Sequence, residues 1–202
     1  CQFDTLYHEH FSYLSLTAVQ RIFAASGLAV FDVQELPTHG GSLRVFAQRS
    51  DASTPRPTEP AVAALLAREV QAGVCSADFY SDFQLQALRI KRELLSFLID
   101  AQARGRKVAA YGAAAKGNTL LNFTGVRPDL LPYVVDKNPA KQGKFLPGSR
   151  IPIVDEAHLR ADRPDVVLIL PWNLRDEIMA QLAYVREWGG QLVTAVPELE
   201  FL

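Results

Sequence analysis

Apolar positions recur along the chain in two rhythms, and the change between them divides it. Leu16, Val19, Ile22 and Phe23 share one face of a helical wheel, and Ser15 precedes them as an N-cap. Gly27 stands where a helix commonly ends. LAVFDVQEL then alternates around Val30 and Asp32 as a strand does, PTHGGS carries turn chemistry, and LRVFAQ resumes the strand rhythm. A helix feeding an antiparallel pair is expected. Residues 50–60, SDASTPRPTEP, hold three prolines among small polar residues and predict a semi-extended linker. AVAALLAREVQAG predicts a helix stopping at Gly73. Ser76 opens a longer one, in which Phe79, Phe83, Ala87, Ile90, Leu94, Phe97 and Ala101 form a core-facing stripe.

From Lys107 the rhythm shortens. KVAAYG, YVVDKN, DVVLILP and QLVTAV read as short, wholly apolar strands. Between them AKGNTLLNFTG, DEAHLRAD and NLRDEIMAQLAYVREWG read as helices, the last with Asn173 as its cap. Apolar strands alternating with helices predict a parallel sheet covered on both faces, a Rossmann-like three-layer α/β domain. The loops at 111–118, 136–149 and 170–173 should then meet at one sheet edge, where open α/β sheets bind ligands.

Composition narrows the function classes. The formal net charge of −1 leaves no electrostatic footprint for nucleic acid or an anionic membrane. No apolar run approaches the roughly 20 residues of a membrane helix, and the opening residues do not read as a basic-then-apolar signal peptide. Two cysteines, Cys1 and Cys75, are too few for a disulfide framework or a zinc knuckle. A cytoplasmic protein is expected. The start on CQFDT, without Met, reads as a cut through a longer protein.

Two stretches carry candidate chemistry. YGAAAKGNT, residues 111–119, is a strand–glycine–helix turn. Asn118 stands where a phosphate loop needs lysine, and Ala114 and Ala115 break the dinucleotide fingerprint. What remains is a helix N-terminus with Lys116, Gly117, Asn118 and Thr119, suited to a phosphate or diphosphate. Asp136, ending the next strand, either holds a ribose hydroxyl or caps its own loop. The other stretch is DTLYHEHFSYLSL, with Tyr7, His8, Glu9 and His10 in succession. If extended, it turns His8 and His10 one way and Tyr7 and Glu9 the other. Metal binding would need a third ligand, from His39 or a distant carboxylate, and is disfavoured. An acid/base site and a solvated loop both stay open on the residues alone. His39 itself, in the turn THGGS, reads more readily as a solvent-facing histidine.

Three motifs in order, QFDTLYHEHFSYLSL, LPTHGGSLRVFAQR and VAAYGAAAKGNTLLNF, make the chain resemble the sugar C-methyltransferases. These use S-adenosylmethionine to methylate a nucleotide-linked keto-sugar, the TDP-sugar C-3 methyltransferases being the best-known type. The resemblance spans essentially the whole chain. It implies that residues 1–50 are the end of a class I methyltransferase domain, that 51–75 are a linker and helix, and that 76–202 are the Rossmann-like C-terminal domain. The S-adenosylmethionine site would lie mostly upstream of this chain, and zinc would belong to an N-terminal module absent from it. Tyr7, Glu9 and His10 match active-site positions of the family, with His10 as the base and His8 structural. His10 would remove the proton next to the ketone, Tyr7 would donate to the enolate oxygen, and Glu9 would orient His10 or hold a sugar hydroxyl. The resulting carbanion would take the sulfonium methyl. The sugar nucleotide, TDP- or GDP-linked, would lie on Lys116, Gly117, Asn118, Thr119, Asp136 and His39. A non-catalytic Rossmann-like module that binds a nucleotide or nucleotide-sugar is the alternative. An NAD-dependent oxidoreductase is disfavoured by the missing glycine fingerprint.

Overall fold

A computed structural model of the chain describes residues 2–202, so Cys1 lies outside the described residues. The chain forms two compact units. One is Phe11–Asp82, and the other joins the residues up to His10 with Phe83–Leu202.

In the first unit, α1 (Leu16–Ala25) leads into β1 (Leu28–Leu36), which pairs antiparallel with β2 (Ser42–Arg49). The register slips between Val30 and Asp32, leaving Phe31 as a bulge. The bulge resets the strand's phase, so Val30 and Val33 both face inward although three residues separate them. They pack with Leu16 and with Val62 and Leu65 of α2 (Pro60–Ala72). Gly73 closes α2 in the left-handed conformation, as its position predicts. The long helix expected from Ser76 is interrupted. A short α3 (Asp78–Ser81) ends at Asp82, and α4 (Phe83–Ala103) begins afresh. Ser81 donates its hydroxyl back to the Asp78 carbonyl, a local bond that competes with helix continuation. The core-facing stripe accordingly starts at Ala87 and runs through Ile90, Leu94 and Ala101, while Phe79 and Phe83 are exposed.

The second unit is the expected α/β domain. Its strands are β3 (Val108–Tyr111), β4 (Val134–Val135), β5 (Ile153–Val154), β6 (Val166–Ile169), β7 (Gln191–Thr194) and β8 (Glu200–Phe201). They lie in the order β5-β4-β3-β6-β7-β8, all parallel except β8. Strands β5 and β8, two residues each, are too short to show a rhythm in sequence. Helix α5 (Ala115–Thr124) follows β3, α6 (Glu156–Asp162) follows β5, and α7 (Arg175–Gln181) follows β6. Alternate strand residues serve opposite cores. Val108, Ala110, Val166 and Leu168 face the side with α4 and α5, and Ala109, Tyr111, Val167 and Ile169 face the side with Leu159 of α6 and Ile178 of α7. A sheet buried on both faces needs apolar residues at every position, which is why these strands read as continuous runs.

The last helix differs from expectation in one instructive way. It breaks into α7 and a 3-10 segment, Ala183–Trp188, and α7 has Leu174 at its N-cap with no side-chain bond. Asn173 does not cap it, because its Oδ1 accepts from Lys116 Nζ at 3.1 Å.

Candidate functional site

The site lies at the C-terminal edge of the parallel sheet, where the loops after β3, β4 and β6 emerge. Sheet order reverses about β3, which places the crevice of a Rossmann-like fold between the β3 and β6 loops. Here that crevice is packed shut. Gly112, with φ +93°, lies so close to Pro171 that a Cβ would come within 2.5 Å of its ring. A Cβ on Gly117 would come within 2.7 Å of Leu170. The two glycines of YGAAAKGNT therefore serve close approach of protein to protein.

Asp136 is engaged by its own loop. Its carboxylate accepts from the Ala113 amide at 2.8 Å, the Asn138 amide at 2.8 Å and Lys141 Nζ at 3.0 Å. Lys141 also donates to the Ala113 carbonyl at 2.9 Å. This carboxylate ties the β3 turn to the β4 loop. With the crevice filled and Asp136 so engaged, this edge does not fit the adenosyl group of S-adenosylmethionine or of a dinucleotide.

Beside the crevice an open cleft of about 460 Å³ remains. Its walls include Tyr7 and His8, Ala113–Ala115 with Asn118 and Thr119 at the start of α5, and the β4 loop with Lys141, Lys144 and Phe145. Three local devices shape it. Ala114 at the α5 N-cap offers no side-chain acceptor, so the helix end is not closed by its own sequence. The loop is clamped to α5 by Asn122, whose Nδ2 donates to the Pro147 carbonyl at 2.9 Å. Gly148 is needed there, because a Cβ would lie 2.2 Å from Asn122 Oδ1. Finally, Lys144 and Phe145 are presented by backbone pairing with Ile153 and Pro152.

The N-terminal segment is fastened alongside. Phe3 is buried and packs on Phe123 with ring centroids 4.7 Å apart. Thr119 Oγ1 donates to the Leu6 carbonyl at 3.3 Å. The His10 ring lies 4.1 Å from the Tyr7 ring and its Nδ1 is 2.9 Å from the Thr5 carbonyl. A carbonyl only accepts, so Nδ1 carries the proton and the lone pair of the neutral ring is on Nε2. Glu9 lies 3.8 Å from His8, both side chains being strongly exposed, a pair worth little.

Lys116 and Asn118 lie differently from each other. Asn118 and Thr119 line the cleft. Lys116 is only 5% exposed, with its ammonium 4.6 Å from the centre of the Trp172 ring and bonded to Asn173. Burial lowers its pKa, and the Asp4 carboxylate offsets part of that. His39 is exposed in the other unit, at φ 57° in the turn before β2. Among the described residues no three His, Cys, Asp or Glu side chains converge as a metal set. No described helix is long and apolar enough to cross a membrane. Lys141, Lys144, Asp4 and Trp172 were not singled out in sequence. Lys137, Lys141 and Lys144 recur within one loop of the expected ligand edge, and that spacing was the available signal.

Fold and site thus define a Rossmann-like α/β domain with a cleft lined by two lysines beside a closed crevice. Residues 37–197 match the family described as the C-methyltransferase C-terminal domain. The chain belongs to that family, as its three motifs led us to expect. It is 38% identical over 197 residues to the C-methyltransferase NovU of Streptomyces niveus. That alignment covers 98% of this chain and 46% of NovU, so the chain spans about half the length of the curated relative it matches. Tyr7–His10 lie upstream of the family match, which begins at residue 37.

Proposed function

We propose that this chain is the substrate-binding and base-bearing part of a C-methyltransferase that acts on a nucleotide-linked keto-sugar. The carrying observation is the cleft that joins Tyr7 and His8 to the uncapped start of α5 and to Lys141 and Lys144. Backbone N–H groups at a helix start, with two lysines facing them, suit a diphosphate. Gly117 lets α5 approach the β6 loop closely, Asn118 and Thr119 offer polar groups beside the phosphates, and Asp136 holds Lys141 and the β3 turn in place. Lys116 points inward, and Lys144 takes the role of charge partner. His39 is kept as a proposed substrate-binding residue.

The sugar ketone acidifies the neighbouring C–H. His10 Nε2 takes that proton, and the Thr5 carbonyl holds the imidazolium that forms. The Tyr7 hydroxyl donates to the enolate oxygen, and Glu9 holds a sugar hydroxyl. Residues 1–50 would close a class I methyltransferase domain, 51–75 would link, and 76–202 would bind the sugar nucleotide. S-adenosylmethionine supplies the methyl group and would be held upstream, in a cytoplasmic protein whose zinc module is also upstream.

Calorimetry on this chain should show binding of a TDP- or GDP-linked sugar and little binding of S-adenosylmethionine. The reverse pattern would overturn the reading. In the protein carrying the methyltransferase core, His10→Asn should slow exchange of the α-proton with deuterated water by roughly 100-fold or more. Exchange at the wild-type rate would remove His10 as the base.

A further inference from the structure

Asp4 is fully buried, yet it takes no part in the chemistry proposed above. Its Oδ2 accepts from Trp172 Nε1 at 2.6 Å. The Trp172 ring in turn lies under the Lys116 ammonium, and Lys116 holds Asn173. These partners come from both walls of the switch-point crevice: Lys116 from the first turn of α5, after β3, and Trp172 and Asn173 from the loop after β6. An open α/β sheet offers this place to an acidic ligand. In this protein a carboxylate of its own N-terminal segment stands there.

We infer that the Rossmann-like domain uses its ligand edge to hold residues 3–10 through the Asp4–Trp172 hydrogen bond, and that Asp4 and Trp172 are positioning residues for Tyr7 and His10. The chain of contacts is short. Phe3 packs on Phe123 of α5, Asp4 bonds Trp172, the Leu6 carbonyl accepts from Thr119, and the Thr5 carbonyl orients the His10 ring. Each link lies within seven residues of the base.

A greasy plug would fill the crevice at lower cost. Burial pushes the Asp4 carboxyl up, outweighing the Trp172 hydrogen bond and the Lys116 charge, and it pushes the Lys116 ammonium down. Asp4 Oδ1 has no hydrogen-bond partner among the described residues. Taking charged groups out of water in this way is unfavourable. What a directional bond adds is register. An apolar anchor such as Phe3 tolerates sliding by a fraction of a residue, whereas Asp4 on an indole N–H admits one placement. One placement is what a base needs against a C–H bond.

The role for His10 rests on the functional reading above, but the anchoring can be tested without it. The chain has two tryptophans, and Trp188 bonds the Pro164 carbonyl, so its indole N–H is an internal control. Amide exchange by NMR reads the Leu6 and His10 amides, bonded to the Phe3 and Tyr7 carbonyls. In Asp4→Leu and Trp172→Phe both should exchange roughly tenfold faster or more, while the β3 amides and the Trp188 indole stay as in the wild type. Asp4→Asn keeps an acceptor and should remain near wild type. Unchanged exchange in Asp4→Leu and Trp172→Phe overturns the inference, and so does equal loss at β3, which would make the bond merely structural. If Asp4→Leu does not fold, Trp172→Phe decides. Failure of a sugar nucleotide to bind the wild-type chain would sink the functional reading and leave this result standing.

Discussion

Helices α1 and α5 begin in opposite ways. At α1, Ser15 Oγ accepts from the Ala18 amide, and the Glu69 carboxylate accepts from the Leu16 amide at 2.6 Å and from the Thr17 amide at 2.8 Å. The Thr17 hydroxyl adds a third bond to Glu69. At α5 the N-cap is Ala114, no side chain caps the end, and two lysines line the cleft it opens on. The dipole and the N–H donors are the same physics at both ends. Where the chain supplies the anion, the end is structural and ties α1 to α2. Where no side chain caps the end, as at α5, the proposed function gives it to a ligand.

The comparison can be broken most severely at α1. Glu69→Ala removes a charged acceptor from part-buried donors and should destabilise the Phe11–Asp82 unit by about 2 kcal/mol. Chemical denaturation followed by a probe in that unit checks it, and an unchanged midpoint would show that water serves those donors equally well. The next largest effect comes from making α5 resemble α1. Ala114→Asp should stabilise α5 by about 1 kcal/mol and weaken sugar-nucleotide binding roughly tenfold, because the new carboxylate takes the ligand's place. Tighter binding in that variant would contradict the site.

The smallest effect is a pH dependence. Burial pushes the Glu69 carboxyl up, but the bonds from the Thr17 hydroxyl and from the Thr17 and Leu16 amides outweigh it and hold it below the ordinary glutamate range. A carboxyl held low binds fewer protons folded than unfolded. Its stabilisation is therefore complete above the unfolded value, about 4.3, and fades as pH falls through the folded value. Melting curves of the wild type and Glu69→Gln should converge from pH 6 towards pH 3. A constant gap would rule out the carboxylate's charge as the cause.

Much of the fold was legible because it is written in local pattern. The apolar runs around Val108, Val134, Val166 and Leu192 are continuous because both sheet faces are covered, and that continuity is visible without coordinates. Ser15 and Gly73 read correctly as helix ends because capping is decided by adjacent residues. The break at Asp82 was hidden, since Phe79 and Phe83 fit the helical spacing but meet no core. Asn173 misled for a related reason. It has the chemistry of a cap, and a lysine 57 residues away claims it.

The site divides along the same line. The ordering of strand, glycine and helix at residues 108–124 depends on neighbours in the chain, as does the concentration of polar chemistry in Tyr7–His10. Which groups face a ligand depends on contacts between residues far apart. Lys116 turns inward because Trp172 and Asn173 are there, Asp136 is taken up by Lys141 and the Ala113 amide, and Lys144 faces the cleft because Ile153 pairs with its backbone. Spacing along the chain determines which residue types are available for chemistry. Only packing across it decides which of them are already committed to one another, because a hydrogen bond or ion pair depends on distance in space and is blind to distance in sequence.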